Sequence, residues 1–425
     1  MPIVEVHHEL PECERDCDCC GNQMEKLGVK LIREEVVYVP ARLYKNHHIQ
    51  HSYECNCHNQ EFEAKPIKSA VVPRAVFDRS YVGPSLLAQV FHLKYVLSVP
   101  LYRQINDWMR IGLYVERKTL ANWAINGADY YLKPVYDLLL TELRSRDVAH
   151  GDETPFQILN RSDQKPATSQ SRMWTFHTLL DAPKPVIVYH SSLTRARPVI
   201  EEVMAGFEGY LHCDGYVSYQ KINGIITVGC WAHARRYFVE VSVPKDGTSQ
   251  ATTAIRYINK MFKVERELKS LEPVERHKER QKRLKPIIDE FYDWLATLSA
   301  LGKLRVAVEY ALNQKESLVR ILEDGRLQLS NNHCEQQIKT LVIGRKNYLF
   351  STSERGADAN AYAYSIIATA KVNGLDPFKY LEYLFTHLPN LDFYRQPKLL
   401  EDFLPWAQVV KEHCAALPNI NQAAS

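Results

Sequence analysis

The sequence predicts an α/β protein in which a mixed sheet is interrupted by an all-helical insertion and preceded by a small cysteine-rich unit. Three observations carry that reading. Strand-like stretches cluster between residues 147 and 230, residues 249–323 read as helix throughout, and six of the ten cysteines lie between Cys13 and Cys57. At 425 residues the chain is long enough for two or more domains with a sizeable core. Its net charge of +3 is too small to argue for nucleic-acid binding by itself, so any basic patch must be local. No run of 18 apolar residues occurs and the N-terminus lacks a basic-then-apolar leader, so a cytoplasmic protein without a membrane partner is expected.

The cysteines come first. Cys17 and Cys20 form a C-x-x-C knuckle followed by Gly21, and Cys55 and His58 repeat the spacing about 35 residues later. Residues 35–39 and 48–53 between them read as strands. Two knuckles joined by a hairpin form a zinc-ribbon layout, in which tetrahedral S/N ligation closes a domain too small to fold alone. The fourth ligand stays open, since Cys57 could stand in for His58. Unliganded cysteines are the alternative. This unit is placed at residues 1–66.

Residues 67–145 form a helical region that opens with a proline-containing linker over 65–82. Helix at 84–94, helix at 100–110, a glycine-containing break and helix at 117–125 match a helix-turn-helix. The last helix would expose Arg117, Lys118 and Asn122 to DNA. The same arrangement is also a generic way to pack helices. An amphipathic helix over 130–144 leads into the sheet.

The stretch 147–159 reads as a strand carrying two adjacent acids, Asp152 and Glu153. Side chains alternate along a strand, so these acids face opposite ways, and a buried one needs a partner. A wet strand face is the plain alternative. Strands follow at 173–180 and 185–189, a helix at 194–204, and a short strand ending at Asp214-Gly215. An acid at the carboxyl end of a strand is where open α/β sheets place ligands, although a turn aspartate has the same look. A further strand at 225–230 runs into a helix bearing His233, Arg235 and Arg236. His233 reads as a partner to an acid or phosphate, or as a packed histidine.

The insertion, 246–326, carries nine Lys/Arg against five Glu between 263 and 285, the pattern of a solvated helix face. Residues 330–350 then give a helix with Glu335 in its first turn, Lys339 one turn on, and Arg345 and Lys346 near its end. Asn332 and Glu335 have capping-box spacing, which is the structural alternative for Glu335. Helices follow at 358–372 and from 376, and 391–425 reads as a docked tail. The sheet domain thus splits into 146–245 and 327–390.

Three meander strands and two more make a ribonuclease H-like sheet, and that arrangement brings Asp152, Asp214 and Glu335 to one edge. Clustered carboxylates repel unless cations neutralise them, and oxygen-only donors select Mg²⁺ or Mn²⁺. Paired ions of this kind serve phosphodiester displacement.

Residues 150–155 (His-Gly-Asp-Glu-Thr-Pro), 213–216 (Cys-Asp-Gly-Tyr), 230–236 (Cys-Trp-Ala-His-Ala-Arg-Arg), 330–332 with Glu335, 344–347 (Gly-Arg-Lys-Asn) and 373–377 (Asn-Gly-Leu-Asp-Pro) closely resemble transposases of the insertion-sequence-66 family. The resemblance runs in order along nearly the whole chain. It implies a DDE transposase that cleaves and joins element ends, with Asp152, Asp214 and Glu335 as the catalytic triad. Cys17, Cys20 and Cys55 match the family's ribbon, while the second knuckle departs from the family's C-x-x-C. His233, Arg235, Arg236, Lys339, Arg345 and Lys346 are the expected contacts with duplex DNA at element ends and target. A homo-oligomer in a synaptic complex, accessory element-encoded proteins and nucleoid association when DNA-bound go with it. Family members carry a leucine-spaced helical region ahead of the ribbon, whereas here the ribbon begins almost at Met1. A truncated or catalytically silent copy that binds DNA in a sequence-directed way is the alternative expectation.

Overall fold

A computed structural model of the chain describes residues 4–20, 22–36, 41–54, 67–167, 170–242 and 249–417. It divides into two units, Met1–Lys45 and Asn46–Ser425. In the first, Asp16 bridges Gln23 in antiparallel fashion, and the Cys17 N–H donates to the Asn22 carbonyl at 2.9 Å. The Cys17–Cys20 knuckle therefore sits at the tip of a minimal hairpin. Residues 35 and 36 carry no strand, and 37–40 lie outside the described residues.

In the second unit, β1 (Ser52–Glu54) pairs antiparallel with β2 (Ile67–Ser69). This corrects two expectations. The strand begins at Ser52 rather than at residue 48, and its partner comes from the stretch read as linker. Both strands are exposed on both faces, so burial gives no pattern that would reveal them in the sequence. Their ladder is extended by a 2.7 Å contact between the Ser52 and Ser69 hydroxyls.

Four helices follow: α1 (Pro84–Phe91), α2 (Leu101–Arg110), α3 (Arg117–Gly127) and α4 (Lys133–Arg144). Pro84 and Pro134 occupy first-turn positions where a missing N–H costs nothing. Leu87, Leu120, Leu132, Val135 and Leu139 are fully buried and join one apolar core with the sheet and the C-terminal helices.

The central sheet contains β3 (Val148–Pro155), β5 (Arg172–Thr178), β6 (Ile187–Ser192), β7 (Gly209–Cys213) and β8 (Ile225–Gly229), ordered β6-β5-β3-β7-β8. The β3–β5 and β5–β6 pairs are antiparallel, whereas β3–β7 and β7–β8 are parallel. The stretch expected to be one strand over 147–159 breaks after Pro155. Residues Gln157–Asn160 form β4, which pairs in parallel with β9 (Phe350–Ser353), a strand that followed a helical reading in the sequence. Between β7 and β8 the chain turns through a short 3-10 helix, and α5 (Arg197–Val203) precedes β7.

After β8 come α6 (Trp231–Val241), α7 (Gln250–Glu267), α8 (Pro273–Glu279), α9 (Lys285–Ala296), α10 (Gly302–Asn313) and α11 (Lys315–Val319). This helical segment has a core of its own around Trp231, Ile258, Phe291, Leu295 and Ala311, to which Val148 and Val228 of the sheet contribute. Then α12 (Asn332–Tyr348) lies against β3 and β5, and α13 (Glu354–Val372) covers the edge strand β6. Ser365 and Thr369 of α13 accept the backbone N–H groups of Tyr189 and Ile187, so the sheet edge is satisfied rather than open. α14 (Pro377–His387) is followed by a 3-10 turn and α15 (Gln408–Cys414), with Leu400, Val410 and Cys414 buried. No helix among the described residues is long and apolar enough to cross a membrane.

Candidate functional site

Asp152 sits near the end of β3, Asp214 directly after β7, and Glu335 in the first turn of α12. Strand alternation puts His150, Asp152 and Thr154 on the α12 side of the sheet. The His150 Nδ1 lies 2.8 Å from Asn331 Oδ1 at the start of α12, and Arg345 of α12 reaches the Thr154 hydroxyl at 3.4 Å. Asn331 also donates from Nδ2 to the Gly151 carbonyl at 2.9 Å. One side chain thereby clamps the helix that carries Glu335 to the strand that carries Asp152.

This clamp corrects the capping-box alternative for Glu335. The N-cap position is Asn331 rather than Asn332, and no side chain caps the helix. The Asn331 carbonyl accepts the Cys334 and Glu335 N–H groups, while its amide is spent on the strand. The Glu335 carboxylate points instead to α6, 3.4 Å from Arg236 and 3.7 Å from His233.

Electrostatics links the three acids. Burial pushes the Asp152 carboxyl up to about 8, and the charges of Glu153, Asp214 and Glu335 push the same way. Its one described hydrogen bond comes from the Glu153 N–H, and among the described residues no cation pairs with it. A half-buried carboxylate without a counter-charge fits a bound cation, and carboxylate oxygens suit Mg²⁺ or Mn²⁺. As they stand, no three Cys, His, Asp or Glu side chains among the described residues close on one point. The outer two acids are held by bases instead, Glu335 by Arg236 and Asp214 by Arg195 at 3.6 Å.

Glu153 takes the opposite face, as alternation requires, but it is no idle surface acid. Its side chain is 2% exposed, pairs with Arg195 Nε, and accepts the Tyr219 hydroxyl at 2.8 Å. Burial raises its carboxyl despite the adjacent guanidinium. Arg195 lies on the loop before α5 and stacks on Tyr216, 3.5 Å from the ring centroid. Sequence reasoning missed the pair. The available signal was that a strand acid facing the core needs a cation, with Arg195 and Arg197 the basic residues heading the next helix.

Behind Asp152, His150 stacks between His177 and His212 with centroid separations of 4.6 and 4.4 Å. Burial holds all three down, His177 to about 4 and His212 to about 3, so this stack adds no positive charge beneath the acids. At the other end, Gly215 is required for contact: a Cβ there would lie 2.8 Å from the Tyr310 ring of α10.

The remaining residues singled out in the sequence fall in different places. Arg236 borders Glu335, whereas Arg235 turns away to Asn259 of α7. Lys339 and Lys346 are exposed on α12, while Arg345 folds back onto the Pro155 carbonyl. Arg117, Lys118 and Asn122 are exposed on α3, about a turn of backbone away from α2 in sequence. The Cys17 thiol receives the backbone N–H groups of Cys19 and Cys20, which hold it below the usual thiol range, the state a metal ligand needs. Cys55, Cys57 and His58 lie outside the described residues.

An acidic edge at the carboxyl ends of parallel strands, bordered by arginines, suits the class of proteins that handle phosphodiesters. Comparison with known proteins makes this specific. The chain belongs to the IS66 family of transposases, whose family model matches residues 79–359. The IS66 C-terminal element matches 365–406, and the zinc-finger binding domain of transposase IS66 matches 14–58. Among relatives, the uncharacterised protein y4hP of Sinorhizobium fredii is 28% identical over 431 residues, covering 95% of this chain and 75% of that protein. The uncharacterised protein y4jD of the same organism is 28% identical, covering 96% of this chain and 80% of its own length.

Proposed function

We propose that the chain is a DNA transposase of the DDE type, with Asp152, Asp214 and Glu335 as its metal-binding acids. The observation that carries this reading is Asp152: a half-buried carboxylate that no cation pairs with among the described residues, its proton affinity raised by burial and by two further acids from distant parts of the chain. The sheet order and strand directions support a ribonuclease H-like assignment for the domain, in which the first and fourth strands and a late helix bear the acids. When bound at these carboxylates, divalent ions supply activation of an attacking oxygen and stabilisation of the leaving one.

The chain's own residues do the rest. Asn331 fixes the distance between β3 and α12, so Asp152 and Glu335 hold station relative to one another. Arg236 sits where a DNA phosphate can replace the Glu335 carboxylate as its partner. Lys339 and Lys346 offer exposed charges along α12. Arg117, Lys118 and Asn122, on a helix following a turn and another helix, are suited to a helix-turn-helix contact with the duplex. Cys17 and Cys20, with Cys55 and His58 or Cys57, would complete a structural zinc site. The partners are element-end and target DNA, a second copy of the chain in a synaptic complex and accessory element-encoded proteins, with the protein in the cytoplasm and on the nucleoid when bound.

A second reading, DNA binding without cutting, draws on the looseness of the acids, two of which are tied to arginines. One assay separates the two. Nicking of element-end duplex in Mg²⁺ or Mn²⁺ should fall by roughly 10³-fold in Asp152→Asn and Asp214→Ala with DNA binding retained. Rates equal to wild type in either variant sink the DDE assignment, and a wild type that binds but never nicks favours the second reading.

A further inference from the structure

Arg195 stands outside the three acids, yet it is fixed at their edge from several sides. Its Nε donates to Glu153, a carboxylate buried at 2% exposure and further satisfied by the Tyr219 hydroxyl. Its guanidinium lies over the Tyr216 ring, and its backbone carbonyl accepts the hydroxyls of Tyr216 at 3.2 Å and Ser218 at 3.1 Å. A terminal nitrogen stops 3.6 Å from Asp214 Oδ2, an ion-pair distance that is too long for a hydrogen bond. The side chain is 33% exposed, and among the described residues only its Nε is hydrogen-bonded. The anchor is therefore saturated while the terminal N–H groups remain uncommitted beside the acids.

We propose that Arg195 contacts the reacting phosphodiester, its terminal N–H groups taking a non-bridging phosphate oxygen, and that Glu153 is the positioning residue that aims it. This rests on the DNA-processing reading above. The physical case has three parts. Three carboxylates repel a phosphate, so a cation beside them lowers the cost of bringing the two together. A guanidinium presents a planar pair of donors that matches phosphate oxygens, which an ammonium does not. Because Glu153, Tyr216 and the two hydroxyls hold it in advance, little reorganisation is needed when charge develops. Arg195 beside Asp214 and Arg236 beside Glu335 then flank the acids with one cation each.

The test uses the full chain, a fluorescent duplex oligonucleotide and two readouts. One is the salt dependence of duplex binding, and the other is Mg²⁺-dependent nicking at saturating DNA. Arg195→Ala should lower the salt slope by about one phosphate contact and slow nicking by about 10²–10³-fold. Arg195→Lys should restore the slope but not the rate. Glu153→Gln should keep the slope while slowing nicking by about 10²-fold, since the charge stays and its aim is lost. Wild-type slope and rate in Arg195→Ala overturn the proposal, as do losses that simply track a falling thermal midpoint across all three variants. If wild type binds duplex without ever nicking it, the transposase reading fails, and the slope of Arg195→Ala still decides whether the contact exists.

Discussion

Two arginine–glutamate pairs, one in the helical insertion and one at the acidic edge, use the same chemistry for different ends. Arg280 is fully buried. Its Nε and one terminal nitrogen bind Glu265, and the other donors reach the carbonyls of Ile321, Asp324 and Leu327 at 3.1, 2.8 and 2.7 Å. Every N–H has an acceptor, three of them in the segment that leads to α12. Arg195 binds Glu153 through Nε alone and keeps its terminal nitrogens toward an open edge. A saturated guanidinium holds structure, whereas one with donors to spare beside acids is set for a ligand.

The largest effect should come from breaking the saturated pair. Arg280→Met strands Glu265 and three carbonyls, and a loss of about 3–5 kcal/mol of stability is expected in denaturant unfolding. Adding Glu265→Leu should recover part of that loss, because the buried charge is removed along with its partner. No such recovery is expected for nicking when Arg195→Gln is combined with Glu153→Gln. If the edge pair recovers function in the double variant, the distinction between the pairs collapses.

The next effect in size is electrostatic and concerns Asp152. The unfolded chain gives up this proton near 3.8, whereas the folded chain holds it to about 8. Between those values only the unfolded chain is ionised, so folding loses stability as pH rises through the window and stays weakened above it. Asp152→Asn removes that loss. In metal-free protein its thermal midpoint should exceed wild type at pH 9 and match it near pH 4. Mg²⁺ should raise the wild-type midpoint and leave that of Asp152→Asn unmoved. Equal midpoints at pH 9 would mean that the carboxylate is not buried as described.

These contrasts show what the sequence could and could not disclose. The five sheet strands, the acids at their ends and the helical insertion were legible because apolar runs, turn glycines and helical periodicity are local signals. The bounds of α2 and α3 fell within a residue or two of expectation for the same reason. What stayed hidden depended on partners far along the chain. β9 is four residues with no pattern of its own, and it pairs with β4 nearly 200 positions earlier. Capping-box spacing pointed to Asn332, and nothing local marked the Asn331 amide, whose partners on β3 are about 180 residues away. Glu153 was placed on the correct face, but alternation says nothing about what waits there. Its neighbours Arg195 and Tyr219 come from a loop and a short 3-10 helix that only the folded sheet brings together.

The smallest effect tests whether the two regions communicate at all. The insertion touches the acidic edge through Tyr310 of α10, packed on Gly215 immediately after Asp214 and stacked on Tyr237 at 4.3 Å. A methyl group at Gly215 would meet the Tyr310 ring and hydroxyl at 2.8 Å and Gln314 at 3.1 Å, so either the helix or the Asp214 turn must shift. That turn is held by the Tyr216 N–H donating to Asp214 Oδ1 at 2.9 Å, a short bond that a displaced backbone would lengthen. Gly215→Ala should therefore cost about 1–3 kcal/mol of stability and slow nicking several-fold. Trimming the opposing ring with Tyr310→Leu should restore much of the rate in the double variant, although Tyr310→Leu alone gains nothing. Additive losses in that cycle would mean that the insertion supports the fold without reaching the site.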